Sequence, residues 1–547
     1  MSGVRPPLPL PSPEASCRQY LRAVRPLQSE EQHRTTSTLV EKFLAGDAPL
    51  VHEALATWGR TTGSGWLAPL WAEAYLEDRR PLPAHQNAAG VTEQALRPTG
   101  VDHARWVAAV ALAAVEYAER EVAGAGTEPA LTRAARLPGI KRDTVVDHPG
   151  SDHFVVLRGG RVHRVQGGGL GALAEVMRRI LALPPAAGAP IAALTSARRA
   201  QWALWRKVLI DEGGPGAYAL DAVESAVFVL CLDDARGQSA ARAAHRVMVG
   251  RPADRWHDKS WQIVLDDDGR IGFTAEHSRG DNASFHRFAA HIRDRSPTIA
   301  VSADLGRSAV HHRELRWDVG PGLQRAAHRA QRFAVAQGDA LTTVAEHVPG
   351  TGRTVSGYAS DLVVHVAAQL AHVALRGRPG GAYQPVDMGR YTGGRTEAMR
   401  PVSPQLVEFV RLKGEKAPDD VLRAALRRTA REHHRRQLEC LRGAASERHL
   451  FALEVFCVHL LGHRAELFDD AAWRQLHSGL DVSTTSVPTM GVVPFSPGSA
   501  SGYGLAYDIG ANDVLCTVTT QSSSATDFVS ALAEEIGTVT ALVRNRR

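Results

Sequence analysis

Cysteine is scarce in this chain: Cys17, Cys231, Cys440, Cys457 and Cys516 are scattered, odd in number and never spaced as CxxC. That pattern excludes a disulfide framework and a thiolate zinc cage, leaving buried or incidental thiols. Lysine is equally thin, occurring only at Lys42, Lys141, Lys207, Lys259, Lys413 and Lys416, so the net charge of +6 rests on arginine. With the abundant Ala and Gly, this bias points to a GC-rich bacterial genome. No apolar run approaches the roughly 18 residues that a membrane span needs. The opening "MSGVRPPLPLPSP" lacks the charged-then-apolar layout of a signal peptide, so the expected compartment is the cytoplasm. No nucleic-acid fingerprint or interleaved aromatic stripe accompanies the basic residues, which removes nucleic acid from the expected partners. GxSxG, GxxxxGK[ST] and GxGxxG are all missing, and Gly167–Gly169 reads as a turn before a helix. His311–His312 and His433–His434 are adjacent rather than at the i, i+4 spacing of two ligands on one helix face, so no metal site is expected.

What is present is a soluble composition, 44% hydrophobic and 22% charged. A chain of 547 residues is too long for one ordinary core, so two large units are expected. Apolar spacings of three and four predict helices from about Ser16 to Ala45 and over 104–122. "HFVVLRGGRVHRVQ" predicts a hairpin turning at Gly159–Gly160, and "SAVFVLCLDD" a buried strand. "WQIVLDDDGRIGFTAEH" predicts a second hairpin, turning at Asp268–Gly269 and ending at His277 before a helix. Residues 405–466 read as mostly long amphipathic helix, followed by strands in "GYGLAYDI" and "DVLCTVTTQ" and a closing helix. Strands and helices recur in both halves, which fits two α/β domains, each with a mixed sheet.

Two stretches carry candidate chemistry. His277 and Asp281 form an HxxxD pair, in which a carboxylate orients an imidazole and stabilises its protonated form. With 24 histidines, chance supplies roughly one such pair, so the spacing alone also fits a structural histidine. "STTS" at Ser483–Ser486 offers hydroxyl donors of the kind that stabilise an oxyanion, and equally fits a Ser/Thr-rich turn. Ser522–Ser524 receives no role. The basic run "RRTAREHHRR" at 427–436 reads as a solvated helix face or a landing site for phosphates.

These pieces fall into one order. "PPLPLPSPEASCRQYLRAVRPL", "WLAPLWAEAYLEDRRPLP", "RLPGIKRDTV", "IAALTSARRAQWA", "DRWHDKSWQIVLDDDGRIGFTAEHSRGDN", "AYQPVDMGRYTGGRTEAMRPVS", "ERHLFAL", "STTSVP" and "GYGLAYD" run along nearly the whole chain. In that order and at those spacings, the sequence resembles the choline/carnitine acyltransferase family. The resemblance implies an α/β fold of two chloramphenicol-acetyltransferase-like domains with mixed sheets and an active-site tunnel at their interface. It divides the chain into a Pro-rich segment (1–15), N-terminal helices packing with the C-terminal domain (16–89), a domain carrying the catalytic His (90–316) and a domain carrying the acceptor motifs (317–547). It implies an O-acyltransferase with His277 as general base and Asp281 as its acidic partner. Ser483 and Thr485 fall where the family has its oxyanion hydroxyls. Tyr383, Thr396, Glu397 and Arg448 match the carnitine-specific pattern, and a fixed guanidinium suits carnitine's carboxylate, which choline lacks. Val493 falls where short-chain members carry Met and longer-chain members Gly, implying short or medium acyl chains. No bound cofactor is implied; a CoA thioester is the co-substrate, and a monomer is expected.

The sequence departs from the family at Thr485 and Ser486, where a Ser and a Gln are usual. It departs more before "YASD", where the family's lysines hold the CoA 3′-phosphate and "VPGTGRTVSG" supplies only Arg353. That opens a second possibility, an acyl group delivered on a carrier protein's pantetheine arm to another alcohol in secondary metabolism. The Arg427–Arg436 helix then offers compensation by binding CoA, or a surface for an acidic carrier. A catalytically silent thioester-binding protein is a further reading, which the intact His277 and Asp281 oppose. A peptide-condensing relative would carry HHxxxD, whereas Glu276 precedes His277 here.

Overall fold

Gly159 and Gly160 adopt φ of +57° and +77°, the pair of left-handed residues that a two-residue hairpin needs. His153–Arg158 and Arg161–Gly167 pair antiparallel around them, as the sequence predicts. The computed structural model describes residues 5–123, 131–303, 309–353, 360–488 and 490–544, so the first four residues of the Pro-rich segment lie outside it. The chain divides into two compact units: Ala72–Thr343 with Thr489–Phe495, and Met1–Trp71, Val344–Pro488 and Ser496–Arg547.

In the first unit the strands are β1 (Ala88–Val91), β2 (Ala134–Leu137), β3 (Thr144–Asp147), β4 (His153–Arg158), β5 (Arg161–Gly167), β6 (Val229–Leu232), β7 (Trp261–Leu265), β8 (Ile271–Ala275) and β9 (Val310–Leu315). Seven form one sheet in the order β1-β8-β7-β6-β4-β5-β9, and β2 and β3 form a separate ribbon. β6 runs parallel to both neighbours and is buried along its whole length, which is why its sequence is continuously apolar rather than alternating. The outer pairings are antiparallel, so the sheet is mixed. Helix Asn282–Val301 packs along helix His103–Ala123, and its Phe288 ring stacks on Trp261 at 3.9 Å.

The second unit holds β10 (Thr342–Pro349), β11 (Ala382–Asp387), β12 (Thr396–Met399), β13 (Val482–Ser486), β14 (Tyr503–Ile509) and β15 (Asp513–Thr520). Their order is β10-β15-β14-β13-β11-β12. β13 lies parallel to β11 and β14, while β11–β12 and β14–β15 are antiparallel, so this sheet is mixed too. Tyr503 of β14 stacks on Phe528 of helix Ala525–Arg544 at 3.9 Å. The first helix, Pro13–Val24, starts on a Ser12 cap with Pro13 at its first position. The next, Glu30–Ala45, opens on a complete capping box at Ser29 and Gln32. Tyr20, Val51 and Leu55 of the N-terminal helices share a core with Leu450, Leu453 and Trp473. Ser16 Oγ and His449 Nδ1 are hydrogen-bonded at 2.8 Å across 433 residues of sequence.

Two expectations need adjustment. Residues 405–466 hold three principal helices, Pro404–Gly414, Asp419–Leu441 and Glu447–Phe456. The breaks fall where Lys416 (φ +57°) and Gly443 (φ +67°) take left-handed backbone and where Pro418 precedes the second helix. The strand expected to end at His277 stops at Ala275, and His277 stands two residues beyond it.

Candidate active site

The β7–β8 hairpin delivers His277. Asp266 Oδ1 fixes its turn by accepting the backbone N–H groups of Gly269 (2.9 Å) and Arg270 (2.8 Å). Gly269 has φ +98°, and a Cβ there would meet Arg97 Cβ at 2.6 Å, so the turn requires glycine. β8 is buried at every position. Beyond it the chain turns into helix Asn282–Val301, with Asp281 at the N-cap position. His277 Nδ1 lies 3.5 Å from Asp281 Oδ1, and the His277 side chain keeps 21% exposure. Tyr75 stacks face to face on the imidazole at 5.0 Å, tilted by 8°. Phe285 meets it edge-on at 5.1 Å. The ring is thus held between two aromatic side chains, with a carboxylate at Nδ1 and Nε2 at its other edge. This geometry suits an imidazole whose Nε2 takes and returns a proton.

Beneath the histidine runs a chain of buried charges. Arg199 lies 2.6 Å from Asp258 and 2.7 Å from Asp143; Arg136 lies 2.7 Å from Asp143 and 2.9 Å from Glu276. Arg79 adds a third guanidinium, 2.8 Å from Asp143. Burial alone would raise the Glu276 carboxyl, but Arg136 and the hydrogen bonds from Ser278 hold it below the usual glutamate value. Asp143 behaves likewise, its burial outweighed by Arg199 and Arg136. Asp258 differs: burial pushes it up to about 6 against the pull of Arg199.

The residues matched to the acceptor side gather in the other unit. β11 and β13 set Tyr383 beside Ser483 in parallel register, and Thr484 Oγ1 donates to the Tyr383 carbonyl at 2.8 Å. Ser483 and Thr485 therefore share one face of β13 and Thr484 takes the other. The β11–β12 pairing brings Thr396 and Glu397 alongside Asp387 and Val386. Arg448, in the first turn of helix Glu447–Phe456, donates Nε to the Thr396 carbonyl at 2.7 Å. Its backbone N–H reaches Glu397 Oε1 at 3.1 Å, and its guanidinium lies 3.6 Å above the Trp71 ring. Burial pushes the Glu397 carboxyl up to about 7, against the opposing pull of Arg448.

The remaining candidates lie elsewhere. Arg353 is exposed, and its backbone N–H donates to Gly510 at the β14–β15 turn. Residues 354–359, which include the Tyr358 and Ala359 of "YASD", lie outside the described residues. The basic run is not one surface. Arg427, Arg428, Arg431 and His434 are exposed, but His433 is buried against Asp361 (3.1 Å). Arg436 is an internal strut, donating to the Arg400 and Val402 carbonyls at 2.7 and 3.1 Å. In the first unit Val493 and Met490 crowd the open face of Gly90 on β1, within 3.3 and 3.1 Å of where a Cβ would stand.

Sequence reasoning on individual residues missed Tyr75, Arg136, Asp143, Arg199, Asp258 and Trp71. Their signal was present at the level of blocks: Trp71 and Tyr75 fall in "WLAPLWAEAY", Arg136 and Asp143 in "RLPGIKRDTV", Arg199 in "ARRAQW" and Asp258 in "DRWHDKSW".

Comparison with known proteins gives a consistent result. The family model described as choline/carnitine O-acyltransferase matches residues 8–534. Mitochondrial carnitine O-palmitoyltransferase 2 of Bos taurus is 25% identical over 598 residues, covering 97% of this chain and 90% of that protein. The liver isoform of carnitine O-palmitoyltransferase 1 of Homo sapiens is 26% identical, covering 83% of this chain and 64% of that protein. Highly reducing polyketide synthase 17 of Metarhizium anisopliae is 28% identical over 87% of this chain, which corresponds to 16% of the synthase.

The Glu397 carboxyl has a consequence for stability. Its folded pKa of about 7 stands above the ordinary value of 4.5. Between those limits the folded state holds a proton that the unfolded chain has released, so stability falls as pH rises through the window. Glu397→Gln removes the titrating proton. The melting temperature of the variant minus that of the wild type should grow from pH 5 to pH 8, and a difference independent of pH contradicts the buried, shifted carboxyl.

Proposed function

The chain belongs to the choline/carnitine O-acyltransferase family and is an acyltransferase, and from that premise we propose that it moves a short- or medium-chain acyl group between a CoA thioester and the hydroxyl of carnitine, with His277 as general base. The His277–Asp281 contact at 3.5 Å, on a ring packed between Tyr75 and Phe285, carries the mechanistic part. With its Nδ1–H turned to Asp281, the imidazole takes the hydroxyl proton at Nε2 as the alcohol oxygen attacks the thioester carbonyl. The tetrahedral oxyanion collapses to the ester, and the protonated histidine returns its proton to the leaving thiolate. No covalent enzyme intermediate is needed. Ser483 and Thr485 are the proposed hydroxyl donors to the oxyanion.

Arg448, Tyr383 and Thr396 form the proposed set for carnitine's carboxylate. Arg448 spends Nε on the Thr396 carbonyl, and its Nη groups are the donors a carboxylate would take. A Glu397 carboxyl raised to about 7 supports this reading, because a fully ionised glutamate there would repel an incoming anion. Val493 and Met490, filling the space over Gly90, favour short or medium acyl chains.

One observation favours a second reading. Arg353 is the single cation in "VPGTGRTVSG", and a carrier-bound pantetheine arm has no 3′-phosphate to bind. The alternative is an acyl-carrier-protein donor and another alcohol acceptor. It is weighed by offering the same acyl group on CoA and on a carrier.

The deciding measurement is thiol release from acyl-CoAs of two to sixteen carbons, with and without carnitine. Carnitine-dependent release that peaks at short or medium lengths is expected; release indifferent to carnitine removes it as acceptor. His277→Ala should lower turnover by about 10²–10⁴-fold, the range for loss of a general base, while the melting temperature is retained. Arg448→Ala should raise the KM for carnitine by about 10–100-fold, the scale of one lost charge-assisted contact. An uncharged alcohol should feel the change much less, and equal losses for both acceptors would contradict the carboxylate role.

A further inference from the structure

Arg136 is fully buried, yet its guanidinium serves four acceptors at once. Nε donates to Asp143 Oδ2 (2.7 Å), Nη1 to Glu276 Oε1 (2.9 Å) and Gln86 Oε1 (2.8 Å), and Nη2 to the Tyr75 carbonyl (2.5 Å). Two of these acceptors border His277. Tyr75 is the residue stacked on the imidazole. Glu276 precedes it in sequence and also holds the residue that follows: Glu276 Oε1 accepts the Ser278 backbone N–H at 3.0 Å and Oε2 the Ser278 hydroxyl at 2.6 Å. The Glu276 backbone N–H is tied to the Ser260 carbonyl at 3.2 Å. The backbone on both sides of His277 and the ring on its face are thus anchored to one guanidinium.

We propose that Arg136, acting through Glu276 and the Tyr75 carbonyl, is a positioning residue that fixes the His277 imidazole for proton transfer. The proposal rests on the reading of His277 as the base. Arg136, Asp143, Arg199, Asp258 and Glu276 are each 4% exposed or less. Three carboxylates, Asp143, Asp258 and Glu276, are met by three guanidinia, Arg79, Arg136 and Arg199. The charges therefore balance, and the group's effect on the histidine is geometric rather than a net field. Buried pairs of this kind add little stability over apolar packing, but they impose one arrangement of the groups they join. The side chain they steady retains 21% exposure, so an unclasped loop would let it swing toward solvent and away from Asp281. A displacement of about 1 Å is enough to cost roughly 10²-fold in rate.

The test uses the full chain with acetyl-CoA or octanoyl-CoA and carnitine, following kcat and both KM values per folded molecule. Folding is checked by circular dichroism and the melting temperature. Glu276→Ala, which removes the clasp, should lower kcat by about 10²-fold with both KM values within about threefold of wild type. Glu276→Gln, which keeps the acceptor for Ser278 and Arg136, should recover most of that loss. Ser278→Ala removes one strap only and should lower kcat several-fold; it decides the matter should Glu276→Ala fail to fold. Folded Glu276→Ala or Ser278→Ala with wild-type kcat overturns the positioning role, as does a loss seen equally in Gln and Ala. His277→Ala runs in parallel: a variant that retains turnover removes the base assignment itself, whereas an inactive His277→Ala beside fully active clasp variants removes only this inference.

Discussion

Charge taken out of water is the constraint on which the His277 region depends. Each buried carboxylate below the β7–β8 hairpin costs several kcal/mol of lost hydration and is tolerable only with a well-placed partner. The partners come from separate stretches: Arg79 from the segment before β1, Arg136 and Asp143 from the β2–β3 ribbon, Arg199 from helix Arg199–Glu212, and Asp258 and Glu276 from either side of the hairpin. Asp143 is shared by three of these partners, and leaving any buried charge of the group wholly unmatched would cost about 3–5 kcal/mol. The hairpin that presents His277 is therefore as rigid as the ionic group beneath it.

The second unit solves a different problem. Its candidate residues are held by hydrogen bonds and strand pairing rather than by ion pairs of their own. Arg448 is steadied by a neutral carbonyl and by the face of Trp71, neither of which consumes its charge. Glu397 sits close by with a proton that it loses only near neutral pH. The strand pairings Tyr383–Ser483 and Val386–Glu397 collect these groups on neighbouring strands. Sheet register, rather than salt bridging, does the gathering here.

The fold was legible in the sequence wherever one local rule decided the outcome. Gly159–Gly160 announced a turn through its need for positive φ, and the apolar run before Asp233 announced a strand buried on both faces. The stretch 405–466 is mostly helical as expected, but its breaks were not legible, because an apolar period does not register left-handed residues such as Lys416. For the site, His277 and Asp281 were readable as a spacing, but only the ordered blocks around them distinguished that spacing from chance. Arg136 and Glu276 could not be paired from sequence, since 140 residues separate them and no periodicity connects a ribbon to a hairpin. The basic run misled for the opposite reason: charge density alone cannot tell exposed Arg427 from Arg436, which is buried against two carbonyls.

The contact between Ser16 and His449 also bears on how the chain is made. The helix Pro13–Val24 is synthesised long before the helix it packs against, whose contacting residue comes 433 positions later. At about 5–20 residues per second, its apolar face waits for tens of seconds. The unit built on Ala72–Thr343 has most of its chain available in that interval. The order of synthesis is thus nested: the unit built on Ala72–Thr343 is made inside the interval during which the helix Pro13–Val24 awaits its packing partner.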